Sequence, residues 1–166
     1  MVEEDHGAQE ATMPIFIIDG PEKAGKTTLI SALSGLDQGE EPEGSKMRVR
    51  RWGPVDSVLE YFGPIVEDYK FVQQGGIVFW DRSWASECVY NDLVRMRETD
   101  RASLRYLETG PWSKYLIKIM AVSTTSTLRR RRAAHRDPTD HKVDPERERE
   151  GFLKYAKSFN WQIIEG

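Results

Sequence analysis

Apolar positions along this chain fall into short unbroken runs, separated by longer stretches in which they return every three or four residues. The run "IFII" at 15–18 ends in Asp19-Gly20 without polar alternation, the pattern of a parallel strand buried on both faces. Residues 76–80 ("GIVFW"), 115–122 and 161–164 repeat that pattern, and 47–50 ("MRVR") is a weaker candidate. Between them lie segments with helical spacing at 27–34, 55–74 (interrupted at Gly63-Pro64), 86–96, 100–109, 127–135 and 145–159. The last begins with Asp144 as an N-cap and Pro145 at the first helical position, where the missing N–H costs nothing. Strands alternating with helices predict an α/β fold of three layers, a five-stranded parallel sheet with helices on both faces. Residues 1–12 are acidic and polar without periodicity and read as a disordered tail, leaving 13–166 as one domain. The stretch 37–45, rich in Gly, Glu and Pro, predicts a mobile connection.

The turn after the first run carries chemistry. Gly20-Pro21-Glu22-Lys23-Ala24-Gly25-Lys26-Thr27-Thr28 has the spacing G-x-x-x-x-G-K-T, and it stands between a predicted strand and a predicted helix. Glycines let the backbone curl so that successive N–H groups point at one anion, and the helix N-terminus adds its positive field. Lys26 is placed for the β- and γ-phosphates of a nucleoside triphosphate and Thr27 for Mg²⁺. Four fixed positions match by chance in only about one chain of this size in 200. ATP and Mg²⁺ are therefore the expected cofactors.

A second cluster, "FWDRSWASECVYND", sets Asp81-Arg82 directly after the strand ending at Trp80, on the sheet edge where ligands of open α/β folds bind. In this pair and in the loop the sequence resembles the thymidylate kinase family of P-loop nucleotide kinases. That family reads "EGxDGxGKST" or "EGxExAGKTT" at the phosphate loop and "DRYxxSxxAYQ" or "DRYxxSxxAYN" after its third strand. Here the matching positions are Asp19 to Thr28 and Asp81-Arg82, Ser86, Tyr90 and Asn91. The resemblance implies a P-loop kinase fold from Met13 onward. By it, Glu22 would contact the acceptor nucleotide, Asp81 would help hold Mg²⁺ and Arg82 would bind the acceptor phosphate. Tyr90 and Asn91 would lie near the base or sugar, and Lys23 would face the phosphoryl group in transit. The run Thr127 to Pro138 resembles the family's lid, near 129–142, with Arg132 and Arg136 four apart on one helix face. A four-arginine run also suits a solvated basic face or a nucleic-acid patch.

The chain departs from the family between its second strand and Asp81. Arg51-Trp52-Gly53-Pro54 stands where the family has its Arg-Glu-Pro-type turn, the stretch to Asp81 is compressed, and no arginine lies between Trp52 and Asp81. The leading expectation is ATP-dependent transfer to a pyrimidine deoxynucleoside monophosphate. A DNA hydroxyl, such as the hydroxymethyl group of a modified uracil, is the alternative acceptor, after a viral branch that resembles this family. An ATPase or a nucleotide-dependent binding module is a third reading. Bulk properties add limits. With 166 residues, 39% apolar and 31% charged, the chain reads as one soluble domain. A net charge of −3 gives no general attraction to nucleic acid. The single cysteine, Cys88, excludes an intrachain disulfide and suits a buried site in a reducing compartment. No apolar run approaches the roughly 20 residues of a membrane span, so no membrane partner and a cytoplasmic location are expected, with a homodimer left open.

Overall fold

The computed structural model describes residues 14–35, 46–134 and 143–166. In chain order these form β1 (Ile15–Asp19), α1 (Lys26–Ser34), β2 (Met47–Arg51), a 3₁₀ turn (Val58–Tyr61) running into α2 (Phe62–Gln73), and β3 (Ile77–Asp81). There follow α3 (Trp84–Tyr90) with a π-helical turn (Asn91–Arg95), α4 (Arg101–Thr109), β4 (Leu116–Val122), α5 (Thr125–Ala134), α6 (Pro145–Phe159) and β5 (Gln162–Glu165). The five strands make one sheet in the order β2-β3-β1-β4-β5, with every pair parallel. The expected tail, Met13 and the stretch 37–45 lie outside the described residues.

β1 shows why an unbroken apolar run is needed in the middle of such a sheet. Side chains alternate between faces. Ile15 and Ile17 enter the larger core with Trp80, Trp84, Leu104 and Phe152, and Ile18 enters a smaller one with Ile30, Phe79 and Ile119. Each fully buried side chain of this size contributes about 1.5–3 kcal/mol. α1 packs over the second face, which makes three layers.

β2 is the strand with the weakest apolar signal, and polar contacts explain it. Arg48 and Arg50, two apart and therefore on one face, both reach Asp68 of α2, at 2.7 Å each. Asp68 is fully buried and also accepts the Trp80 indole N–H at 2.6 Å, so its charge is matched on every side. Glu108 of α4 does the same at another place, accepting from Trp84 (2.9 Å), Tyr155 (2.7 Å), Trp161 (2.9 Å) and Lys118 (2.5 Å). Cys88 is buried, and that burial pushes its thiol above the ordinary range.

Several element boundaries differ from the periodicity. Gly63-Pro64 does not interrupt the second helix but sits in its first turn, where the proline N–H would have no partner in any case. α3 starts two residues early because Ser83 caps it, accepting from the Ala85 N–H at 3.1 Å. Trp161 precedes β5 rather than opening it, because its ring is drawn into the core beside Tyr155.

Candidate active site

Because all five strands are parallel, their carboxyl ends share one edge. There the loop after β1 lies beside Asp81-Arg82 after β3 and Arg51-Trp52 after β2. Arg51 is in register with Asp81, and the Trp52 N–H donates to the Asp81 carbonyl at 2.9 Å.

Gly20 has φ +147°, and a Cβ there would lie 2.0 Å from the Ala121 carbonyl oxygen, so the loop can leave the sheet only with glycine. Pro21 then accepts from the Ala24 N–H at 3.2 Å. Lys23 is held at φ 63°, a left-handed conformation that costs a non-glycine residue about 1 kcal/mol or more. α3, α4 and α6 begin with side-chain caps from Ser83, Asp100 and Asp144, whereas Gly25 has none to offer α1. The first-turn N–H groups of α1 are thus left to an outside anion.

Lys26 is buried and folds over its own loop, donating to the Gly20 and Pro21 carbonyls at 3.0 and 2.7 Å. Burial, and next the charge of Arg82, lower its pKa to about 7. The Thr27 hydroxyl donates to Asp81 Oδ2 at 3.4 Å. A hydroxyl and a carboxylate at a cleft wall are hard oxygen donors, and Mg²⁺ characteristically takes one or two such groups plus phosphates and water, so the pair fits that ion.

Arg82 is the second strained residue, at φ 72°. Its N–H donates to the Ile18 carbonyl at 2.9 Å, and its guanidinium reaches Gly20 O at 3.3 Å, Ser86 Oγ at 2.8 Å and Tyr90 Oη at 3.5 Å. Beneath it is Asp19, fully buried, a group that motif reading left without a role. Its carboxylate accepts from the Gly20 N–H (2.8 Å), Ser83 Oγ (2.8 Å), the Ser86 N–H (2.9 Å) and Ser86 Oγ (2.5 Å), stitching β1 to the head of α3. Its place before the loop glycine was the only signal in the sequence. Burial pushes the Tyr90 hydroxyl well above its ordinary range, against a lowering by Arg82.

A cleft of about 810 Å³ is lined by the residues from Glu22 to Thr28 together with Asp81, Arg82 and Arg131, and on its apolar walls by Leu29, Ala32, Val122 and Ile164. Of the expected residues, Gly20 and Pro21 shape its floor without lining it, while Ser86 and Tyr90 stand behind Arg82. Asn91 is not brought to it: its amide donates to Thr99 at 3.0 Å and accepts from Arg95 and Arg97 at 3.1 and 2.9 Å. Trp52 packs on Tyr61 and Trp80, with ring centroids 4.5 and 5.1 Å apart.

The arginine helix divides its side chains. Arg131 faces the cleft and donates to the Lys23 carbonyl at 2.9 Å and to Ser123 Oγ at 3.2 Å. Arg132 instead turns to α6, where it pairs with Glu148 and donates to the Val143 carbonyl at 3.2 Å. Arg136 and the later part of the expected lid lie outside the described residues.

Solved structures place this geometry. The chain is similar to the YorR protein of Bacillus subtilis, solved in complex with phosphorylated GDP, with a TM-score of 0.67 and 15% identity over 92% of this chain and 84% of that one. It is also similar to polyphosphate kinase 2 of Arthrobacter aurescens (TM-score 0.56, 17% identity, 95% of this chain and 66% of that one). Thymidylate kinase of Candida albicans gives a TM-score of 0.53 at 15% identity, over 93% of this chain and 84% of that one. What these structures share with the chain is the fold, a parallel α/β sheet with helices on both faces. No family model matches the sequence, and no curated protein matches it either. Open parallel α/β sheets bind ligands at their carboxyl edge, the place where the charged groups above converge. No helix among the described residues is long and apolar enough to cross a membrane.

Proposed function

We propose that this chain is a kinase that moves the γ-phosphoryl group of ATP, with Mg²⁺, to a pyrimidine deoxynucleoside monophosphate. The observation that carries the reading is the placement of Arg82. A left-handed backbone holds this cation against the phosphate loop, 3.3 Å from Gly20 O, next to Lys26. Lys26 suffices to grip the donor's phosphates. A second cation backed by Tyr90 suits an acceptor phosphate, which a hydrolase has no need to position.

Phosphoryl transfer needs alignment and positive charge around the equatorial oxygens rather than covalent help from the protein. In this reading the open amides of α1 and Lys26 hold the donor phosphates, and Arg131 reaches them from α5. Lys23 faces the group in transit. Arg82 orients the acceptor phosphate in line, and Glu22 at the loop's rim contacts the acceptor's sugar. Thr27 and Asp81 would hold Mg²⁺, which would supply neutralising charge to the donor's phosphates. Arg136 takes the lid role that the resemblance gives it. The apolar wall of Leu29, Ala32 and Ile164 suits a flat base.

The test is to incubate the whole chain with γ-labelled ATP and Mg²⁺ against nucleosides, nucleoside monophosphates and DNA containing hydroxymethyl bases. Label on thymidine monophosphate is the expected result, and Lys26→Ala lowers it on the order of 10³-fold. Label on DNA alone moves the acceptor to a polymer hydroxyl. Release of inorganic phosphate with no acceptor labelled overturns the kinase reading.

A further inference from the structure

Glu148 of α6 is fully buried, and its partners come from three different elements around the cleft. Oε1 accepts the Glu22 N–H of the phosphate loop at 3.1 Å and the Tyr90 hydroxyl of α3 at 2.5 Å. Oε2 pairs with Arg132 of α5. Pairing alone would explain a buried charge, since one left bare in the interior costs several kcal/mol. The pattern here is more specific. Asp68 and Glu108 gather their partners from packed strands and helices away from the cleft, whereas Glu148 joins its two sides. On one side Tyr90 leads to Arg82, 3.5 Å away, and on the other Arg132 belongs to the helix whose preceding residue, Arg131, lines the cleft.

The cluster is also incompletely satisfied. Among the described residues, Glu22 Oε2 and Arg132 Nε, in two residues bonded to Glu148, are buried without hydrogen-bond partners. An orphan acceptor and an orphan donor around one carboxylate leave a favourable rearrangement unmade.

We propose that Glu148 is a positioning residue that couples the two halves of the cleft, transmitting occupancy beside Arg82 and Tyr90 to the loop and to α5. Glu148 touches neither substrate in this scheme. A phosphate that draws Arg82 forward alters its contact with Tyr90, hence the bond from Tyr90 to Glu148, and hence the seat of Arg132 and the Glu22 amide. Because coupling is reciprocal, ATP must tighten the acceptor by the same factor as the acceptor tightens ATP. The proposal rests on the kinase reading above.

The experiment is calorimetry on the whole chain with a non-hydrolysable ATP analogue and thymidine monophosphate, each alone and each in the presence of the other. In the wild type each ligand is expected to tighten the other about tenfold. In E148Q, which keeps shape and one hydrogen-bonding oxygen but loses the charge, each ligand alone binds within about threefold of wild type and the mutual effect falls below about twofold. A merely structural role would weaken both ligands together, leaving their mutual effect intact. Mutual tightening that survives E148Q overturns the proposal and spares the kinase reading, as does its absence from the wild type when both ligands bind. A wild-type chain that binds neither ligand, or only one of them, overturns both. Should E148Q fail to fold, E148D, which keeps the charge but shortens the reach to Tyr90 and the Glu22 N–H, carries the same expectation of lost coupling.

Discussion

At the scale of single residues, Lys26 and Gly20 define what the phosphate loop costs the protein. The buried Lys26 amine has a pKa near 7, against about 10.4 in an unfolded chain. Between those values the unfolded state binds more protons than the folded one. This group's contribution to stability therefore rises with pH across that window, and its penalty is complete below about pH 7. Phosphates in the cleft favour the ammonium, so binding restores the higher pKa. At pH 8 the ATP analogue is expected to take up about one proton per site, read by calorimetry in buffers of different ionisation enthalpy, and Lys26→Met should abolish the uptake. Binding with no proton uptake in the wild type would refute this account of the lysine. Gly20 pays in sterics instead. Gly20→Ala puts a methyl 2.0 Å from the Ala121 carbonyl at φ +147°, and urea titration should find a loss of about 2–5 kcal/mol. Gly25→Ala meets nothing closer than 4.0 Å and should cost only the left-handed strain of about 1–2 kcal/mol.

At the scale of elements, the arginine helix shows where sequence reasoning stops. Helical spacing places Arg132 and Arg136 on one face, but which face meets the cleft is decided by how α5 docks. Leu128 is fully buried, and it fixes the rotation of the helix so that Arg131, one residue and 100° from Arg132, lines the cavity. No spacing rule distinguishes the two without that docking. Their substitution should separate them. Arg131→Met is expected to raise the KM for ATP about tenfold with stability unchanged, because that side chain lies at the cleft and on no buried charge. Arg132→Met strands Glu148 and should cost about 3–5 kcal/mol of folding stability. Equal effects of the two variants on KM and on the urea midpoint would contradict the division. The helix starts follow the same logic. Asp144 was legible as a cap because cap chemistry is local. The π-helical turn after α3 was not, because the contacts that turn Asn91 toward Thr99, Arg95 and Arg97 depend on the chain that follows.

At the scale of the whole molecule, the sheet was readable because burial on both faces demands continuous apolar runs; β1 and β3 have them, and β4 has one broken only at Lys118, whose amine reaches Glu108. β2 was only weakly readable, since Arg48 and Arg50 satisfy a buried carboxylate that no local pattern announces. The same holds for Asp19 and Glu148, whose partners lie 58 to 126 residues away in the bonds that matter most. The acceptor is likewise a property of the assembled cleft. If it is a free monophosphate, its affinity depends on the one forked cation that faces it. Arg82→Lys replaces a planar pair of hydrogen bonds with a single point charge, so KM for the monophosphate should rise about 10- to 100-fold while the affinity for ATP changes little. A DNA acceptor would spread its binding over several backbone phosphates, with an affinity that falls steeply as salt rises and depends little on this side chain. The net charge of −3 disfavours that second mode, because no general basic field draws a polyanion toward the chain. Measuring KM for thymidine monophosphate and for DNA containing hydroxymethyl bases, in wild type and Arg82→Lys at 50 and 200 mM salt, distinguishes them. A large Arg82 effect with shallow salt dependence supports the mononucleotide, and a steep salt slope with Arg82→Lys near wild type reverses the assignment.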